Sequence, residues 1–248
     1  MKNNYKMTMS FDGSRYYGWE HQPGKETIQG KIEEVLARMC EVPKESLEVI
    51  GAGRTDAGVH ARGMVASVVL DTAMTPDEIR AYMNRYLPED ISINDVRIAS
   101  ERFHARYQAV GKTYCYTCYY GETKPVFDRR YTYVLEKDVD VERMKEAAAL
   151  LVGRHDFRSF CGNPRMKKST MGEIYEITIR QKSGFLYLTY HGAGFLQYMV
   201  RILTGTLLEV GEGKRTPESM TQVLEALDRK AAGLTAPARG LCLIRVDY

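Results

Sequence analysis

The 248-residue sequence predicts an α/β fold of the mixed α+β kind, in which helices pack against a sheet. A segment with strand periodicity leads into one with helical periodicity near the start, and this succession returns after residue 113. Composition agrees, because 44% hydrophobic and 27% charged residues are typical of a globular protein. A chain of this length can bury a substantial core as one large domain or as two smaller ones.

The first half of the chain alternates strand and helix patterns. Thr27 precedes apolar residues at helical spacing, which is typical of a helix N-cap. Thr75, Pro76 and Glu78 give three agreeing helix-start signals: a capping hydroxyl, proline at the first helical position and glutamate at the capping-box position. We therefore predict strands over residues 5–11, 64–70 and 91–98 and helices over residues 28–40 and 76–86.

The second half repeats the pattern after an irregular segment. Residues 99–112 show little periodicity, so we place the junction there, with an N-terminal half over residues 1–105 and a C-terminal half over residues 106–248. A strand and helix unit in each half suggests internal pseudo-symmetry. The predicted strands cover residues 113–120, 174–180, 185–190 and 241–248, and the predicted helices follow Asp140, span residues 194–210 and begin at Thr216-Pro217.

Composition and charge exclude several classes of protein. The sequence has no apolar run long enough to span a membrane and no signal-peptide core, so we expect a cytoplasmic protein without a membrane partner. Five cysteines suggest reduced thiols, and Cys115 and Cys118 should point to opposite faces of one strand, which argues against a shared metal. Scattered histidines argue against structural zinc. A net charge of +3 permits a nucleic-acid partner if the basic residues form a local surface.

Residues 51–63, GAGRTDAGVHARG, are the most distinctive stretch of the sequence. Four glycines surround one carboxylate, Asp56, with Arg54 before it and His60 after it, and we expect the whole run to be a loop. An aspartate in a glycine-rich turn is most often a turn former. However, an apolar strand pattern follows at once, which places the loop at the mouth of a buried strand and favours a functional site. Neither a dinucleotide fingerprint nor a P-loop fits the spacing.

The string AGRTDAGVHA at residues 52–61 resembles the active-site signature of the TruA family of tRNA pseudouridine synthases. Other strings similar to this family occur in the family's order along nearly the whole chain. They are FDGSRYYGW at residues 11–19, FHARY at 103–107, GFLQYMVR at 194–201 and GLCL at 240–243.

The resemblance implies a fold and an activity. It implies the pseudouridine synthase fold, with two similar halves that form one largely antiparallel sheet flanked by helices, and a central basic cleft. It implies a homodimer that acts on tRNA and converts uridine to pseudouridine in the anticodon stem-loop, at positions 38 to 40. This isomerisation needs no redox or energy input, so we expect no metal and no small-molecule cofactor.

The resemblance also assigns roles to single residues. The reaction needs an ionised carboxylate kept away from water beside the base and sugar, and Asp56 matches the family's catalytic position. Arg201 is expected to pair with Asp56 and Arg54 to bind RNA phosphate, although the sequence allows these two roles to be exchanged. Tyr114 matches the tyrosine that packs on the base and assists removal of the C5 proton; alternatively it shares a buried strand face with Tyr116.

Further residues complete the predicted RNA site. Leu241 matches the family's apolar wall beneath the base, and His60 is interpreted as a loop-shaping residue. Residues 158–171 form an irregular basic segment, which is either a solvated loop or a phosphate-binding loop. The expected basic surface consists of Arg62, Arg102, Arg106, Lys112, Arg165, Lys167 and Lys168.

Two departures from the family pattern bear on RNA binding. Met171-Gly172-Glu173 stands where many members carry an arginine, and Lys112-Thr113 stands where many carry a basic pair. Three alternatives to a pseudouridine synthase acting at positions 38 to 40 stay open. The first is a paralogue acting on another RNA or another tRNA position, and the second is a non-catalytic RNA-binding protein on the same fold. A carbohydrate- or nucleotide-handling enzyme is a more distant third.

Overall fold

The strands and helices agree with the predicted fold class. A computed structural model describes residues 2–163 and 165–248 and contains a large, mostly antiparallel sheet flanked by helices. Within the described residues, no helix combines the length and the apolar character needed to cross a membrane. Contacts divide the chain into two compact units, the first formed by Met1–Val110 with Leu243–Tyr248 and the second by Gly111–Cys242.

The elements are numbered in chain order. The strands are β1 Lys2–Phe11, β2 Ile50–Gly51, β3 His60–Asp71, β4 Ile91–Ala99, β5 Gly111–Tyr119, β6 Tyr133–Val134, β7 Gly153–Asp156, β8 Met171–Lys182, β9 Phe185–Gly192 and β10 Leu241–Asp247. The α-helices are α1 Ile28–Cys40, α2 Pro76–Tyr86, α3 Val141–Ala149, α4 Met199–Gly211 and α5 Ser219–Ala226.

In the first unit, β1 is the central strand. The hydrogen-bonded order is β4, β1, β3 and then β10, and β2 pairs with β3. Met7 lies opposite Ala66 of β3 and Val96 of β4 in antiparallel register. Because alternate side chains of a strand share one face, Tyr5, Met7 and Met9 are all buried, as the alternating pattern predicts.

Local capping fixes where the helices of this unit begin. The Thr27 hydroxyl accepts a hydrogen bond from Gly30 N at 3.2 Å, so α1 begins at Ile28 as predicted. At α2 the Thr75 hydroxyl accepts from Glu78 N at 3.3 Å, and the Glu78 carboxylate accepts from Thr75 N at 2.7 Å. This backbone hydrogen bond holds the pKa of Glu78 below its usual value. The predicted capping box is therefore present.

The second unit is built around β5, β9, β8 and β7, which follow one another in the sheet with antiparallel pairing. The short strand β6 adds to β5 in parallel. Asp140 caps α3, as predicted, by accepting from Arg143 N at 3.1 Å. Cys118 is buried on the same side of β5 as Tyr116, whereas Cys115 points to the other face, which confirms the predicted alternation.

Three predicted boundaries were wrong. Residues 60–63 belong to β3 rather than to the loop, because His60 and Ala61 are buried and continue the strand. The helix predicted from Gly194 begins only at Met199, because Tyr198 adopts a left-handed conformation with φ of 60° and interrupts the helical backbone. The last helix begins at Ser219, two residues after Pro217.

The capping box of α2 gives the first prediction. Replacing Thr75 with alanine should lower the free energy of unfolding by about 1 kcal/mol, because Glu78 N loses its acceptor. Urea unfolding at neutral pH measures the change. Thr221→Ala, at an exposed position inside α5, is the matched control and should cause no loss, since alanine favours a helix more than threonine does. Equal losses in the two variants would contradict a capping role.

Candidate active site

The glycine-rich run forms a short loop between β2 and β3 in the first unit. Asp56 lies half-buried on this loop, between the buried Thr55 and the exposed Ala57. Val59 N donates to Asp56 O at 3.1 Å, and Gly58 adopts a φ of 77° that favours glycine. The turn that follows Asp56 is therefore fixed by its own backbone, which gives the carboxylate a defined position.

The connection between β1 and α1 braces this loop from one side. Trp19 N donates to Thr55 O at 3.1 Å, and Gly58 N donates to Tyr16 O at 3.3 Å. Gly18, with a φ of 93°, comes so close that a Cβ there would lie 2.6 Å from Thr55 O. Residues 52–59 therefore rest on a second segment that approaches closely only because it carries glycine.

His60 ties the loop to the turn after β1. Its ring is buried, and Nδ1 accepts a hydrogen bond from Gly13 N at 3.1 Å. The same nitrogen lies 3.1 Å from Asp12 Oδ1, but one nitrogen cannot accept and donate through the same position. We assign Nδ1 as the acceptor, since Gly13 N always carries its proton and Asp12 Oδ1 already accepts from Ser14 N and Ser14 Oγ. A structural role in shaping the loop follows.

Arg54 lies on the exposed edge of the loop. Its Nη2 is 2.5 Å from Oε1 of Glu20, and the two side chains are 57% and 45% exposed. The structure therefore gives Arg54 an ion-pair partner that the sequence did not reveal, because 34 positions separate the two residues.

In the second unit, Tyr114 lies on β5 with only 9% of its surface exposed. Its ring meets Phe195 edge to face, with centroids 5.4 Å apart. On the same strand face, the buried Tyr116 donates its hydroxyl to Pro237 O at 2.7 Å, and burial raises the pKa of that hydroxyl. Tyr114 and Tyr116 thus share the face that the alternation predicts.

Arg201 lies in the first turn of α4, and not well inside a helix that begins near Gly194. Its Nε donates to Ala236 O at 2.7 Å, and its guanidinium carbon lies 5.1 Å from the centre of the Tyr198 ring. A Cβ on Gly162 would lie 2.2 Å from Tyr198, so glycine allows that ring to pack closely. Ala236 O and the Tyr198 ring therefore hold the Arg201 guanidinium between them.

Leu241 is 5% exposed and begins β10 directly after a short turn of 3₁₀ helix, Ala238–Gly240. The turn packs on β5, because a Cβ on Gly240 would lie 2.6 Å from the Tyr116 ring. The turn that precedes Leu241 thus packs on Tyr116, which shares a strand face with Tyr114.

The predicted basic residues occupy the surface. Arg62, Arg102, Arg106, Arg165, Lys167 and Lys168 are exposed and Lys112 is half-exposed. Near Arg106, the His104 Nδ1 accepts from the backbone N–H groups of Arg106 and Tyr107, each at 3.2 Å. In the basic segment, Pro164 lies outside the described residues. Among the residues described, no group of three or more His, Cys, Asp or Glu could hold a metal ion.

Two contacts were missed by sequence reasoning. Phe195 falls within the helix predicted over residues 194–210, but it lies before α4 and packs against Tyr114. Gly194, directly before it, was a signal that the backbone is not helical there. The second is the ion pair of Arg54 with Glu20, which directly follows the family-like string at residues 11–19.

The chain is similar to known proteins over nearly its whole length. A family model described as tRNA pseudouridine synthase matches residues 7–108 and 147–248. A protein from Bacillus sp. (strain KSM-64) named tRNA pseudouridine synthase A is 44% identical over 247 residues, covering 99% of this chain and 100% of that protein. Proteins named tRNA pseudouridine synthase A 2 are 41% identical in Clostridium perfringens, covering 99% of each chain, and 43% identical in Bacillus anthracis, covering 99% and 100%.

Similarity to solved structures is weaker. The archaeal box H/ACA sRNP Nop10-Cbf5 complex matches with a TM-score of 0.37 and 13% identity, covering 91% of this chain and 59% of that chain.

Because these relatives match over their full length, the chain is an enzyme of the isomerase class. The chain belongs to the tRNA pseudouridine synthase family, which confirms the resemblance found in the sequence.

The close approach at Gly18 gives the second prediction. Gly18→Ala should lower the free energy of unfolding by on the order of 1–3 kcal/mol, because the new Cβ combines a strained φ with a clash on Thr55 O. It should also reduce formation of pseudouridine, since Thr55 precedes Asp56. Urea unfolding and a tRNA modification assay measure the two effects.

Gly24→Ala is the matched control for that variant. Gly24 lies in the same connection with a φ of 69°, but a Cβ there would meet no described atom within 4 Å. It should cost about 1 kcal/mol from backbone strain alone and leave activity intact. If Gly24→Ala impairs modification as strongly as Gly18→Ala, the bracing argument is wrong.

Proposed function

We propose that this protein isomerises uridine to pseudouridine in the anticodon stem-loop of tRNA, at positions 38 to 40. The observation that carries the proposal is the loop of residues 52–59. It bears the family's signature, and backbone hydrogen bonds from Trp19 N to Thr55 O and from Val59 N to Asp56 O hold the backbone of the half-buried Asp56 in place. A carboxylate placed in this way needs little reorganisation when a substrate arrives.

In the proposed reaction Asp56 acts as nucleophile or base. The bond from uracil N1 to the ribose breaks, the base turns, and a carbon–carbon bond forms from C5 to the same ribose carbon. C5 then loses a proton and N1 gains one, so that substrate and product have the same atoms. The target base must first leave its stack, at a cost of about a few kcal/mol, which contacts to the rest of the RNA must offset.

A guanidinium is needed to keep Asp56 charged in a water-poor site. We propose Arg201 for this role. Its Nε is fixed by Ala236 O and its face is backed by Tyr198, so it loses little freedom on pairing with a carboxylate. Arg54 then binds an RNA phosphate, which agrees with its exposure.

The remaining residues would receive the base and the RNA backbone. Tyr114 provides a ring face and a hydroxyl, and Leu241 an apolar contact beneath the base. The seven basic residues named above are proposed phosphate contacts, of which Lys112 is the least exposed. By family resemblance we further propose that the enzyme is a homodimer and works in the cytoplasm.

A related activity is the second candidate. Met171-Gly172-Glu173 and Lys112-Thr113 depart from the family pattern at positions that we expect to affect RNA binding. A paralogue acting on another tRNA position would have the same catalytic loop and different modified uridines. A non-catalytic RNA-binding protein would form no pseudouridine at all.

A modification map gives the third prediction. Purified protein incubated with unmodified tRNA transcripts should convert uridines at positions 38 to 40. Asp56→Asn should bind tRNA but lower the single-turnover rate by at least about 10³-fold, because an amide cannot replace the carboxylate. Asp77→Asn, which removes an exposed carboxylate on α2, should keep full activity.

The outcomes of this experiment separate the candidates. Pseudouridine at other positions identifies the related activity, and no pseudouridine with intact tRNA binding identifies an RNA-binding protein. Activity retained by Asp56→Asn would remove Asp56 from its proposed role.

The pair of tyrosines on β5 gives the fourth prediction. Tyr114→Phe keeps the stacking face and removes the hydroxyl, so it should slow the chemical step by about 10²-fold or more if that hydroxyl assists proton removal. Tyr116→Phe should instead lower the free energy of unfolding by about 1–3 kcal/mol, because Pro237 O loses its buried donor.

Single-turnover rates and urea unfolding distinguish the two variants. A Tyr114→Phe enzyme with the wild-type rate would leave Tyr114 with a packing role alone. A slow Tyr116→Phe enzyme of normal stability would reverse the assignment of the two tyrosines.

A further inference from the structure

The ion pair between Glu20 and Arg54 lies at the edge of the loop that carries Asp56. The backbone brings the two residues together: Trp19 N donates to Thr55 O, Glu20 follows Trp19 and Arg54 precedes Thr55. Glu20 is therefore next to the donor residue of this hydrogen bond and Arg54 is next to the acceptor residue. Glu20 Oε1 lies 2.5 Å from Arg54 Nη2.

The segment that carries Glu20 is firmly held. Trp19 is 2% exposed, and its indole occupies the space beside Gly51, where a Cβ would lie 2.5 Å from the ring. Trp19 O accepts from Gln29 N of α1 at 3.0 Å. Because both side chains of the ion pair grow from fixed backbone, the carboxylate and the guanidinium are within reach of each other without any change of the backbone.

We propose that Glu20 is a positioning residue that competes with RNA phosphate for Arg54, and that this competition weakens tRNA binding and speeds product release. The inference rests on the proposed function, in which Arg54 binds a phosphate. It adds an intramolecular carboxylate that occupies the same guanidinium when RNA is absent.

The strength of the ion pair suits this role. Two exposed partners interact weakly, so a phosphate can displace the carboxylate. The free energy needed to break the ion pair lowers the gain from the new contact with the phosphate. Guanidinium and phosphate form directional paired hydrogen bonds, and a carboxylate that already holds Nη2 blocks that geometry.

The chemistry of isomerisation explains why such competition is useful. Uridine and pseudouridine differ only in which base atom joins the ribose, so the phosphates of substrate and product are the same. A phosphate contact therefore binds both equally, and tight binding slows release without accelerating the chemical step. A carboxylate that competes for Arg54 lowers the affinity for substrate and product tRNA alike.

Glu20→Gln gives the fifth prediction, because it removes the competing charge and keeps the size of the side chain. The Kd for unmodified and for modified tRNA should both fall about two- to fivefold. The multiple-turnover rate should fall more than the single-turnover rate, since release becomes slower. The slope of log Kd against log salt should steepen by up to about one.

Two controls separate this effect from a general change in charge. Asp77→Asn removes one exposed carboxylate, which pairs with Arg80 at 3.1 Å on α2, and therefore gives the same change in net charge. It should not alter the Kd for tRNA. In an Arg54→Gln background, Glu20→Gln should have no further effect, because the guanidinium for which it competes is gone.

The inference is overturned by any of three results. They are an unchanged Kd in Glu20→Gln, equal tightening in Asp77→Asn, and tightening that persists in the Arg54→Gln background. Failure of the proposed function gives a different result. The wild-type protein would then form no pseudouridine, while the Kd values of the variants could still be compared. Melting temperatures of all variants show whether they are folded.

Discussion

The hydrogen bond from Trp19 N to Thr55 O is the interaction on which the first unit's site depends. It joins the connection between β1 and α1 to the loop between β2 and β3, and it closes only because Gly18 lacks a Cβ. Asp56 follows Thr55, the acceptor residue of this bond, and Glu20 follows Trp19, the donor residue. A single backbone contact thus orders both the proposed catalytic carboxylate and the ion pair that we propose to tune RNA binding.

Tyr116 has a comparable position in the second unit. Its ring packs against Gly240 and its hydroxyl holds Pro237 O, so the turn that precedes Leu241 is fixed on β5. Two residues earlier on the same strand, Tyr114 reaches Phe195 instead. In both units a large buried aromatic side chain, Trp19 or Tyr116, anchors the segment, and a residue near it, Asp56 or Tyr114, is proposed to meet the substrate. Rigid support of this kind keeps a site in its reactive geometry.

Sequence reasoning succeeded where the controlling interaction is local. The starts of α1, α2 and α3 follow from Thr27, Thr75 and Asp140, whose side chains each cap the backbone N–H three residues further on. It failed at two boundaries, the start of α4 after Tyr198 and the start of β3 at His60, where contacts come from distant residues. Gly162 makes room for the Tyr198 ring, and Gly13 N donates to His60. The pairing of Glu20 with Arg54 was hidden for the same reason, since no periodic pattern links the two positions.

The family signature predicted the reaction better than it predicts RNA recognition, and electrostatics explains this difference. A net charge of +3 leaves little general attraction for a polyanion, so affinity must come from a few well-placed cations. Each such cation binds substrate and product alike, because isomerisation does not alter the phosphates. Discrimination between them is left to the base itself, where Asp56, Tyr114 and Leu241 are proposed to act. An enzyme of this type gains from cations that bind only moderately, and a carboxylate held beside Arg54 by the fold provides that moderation without altering the catalytic loop.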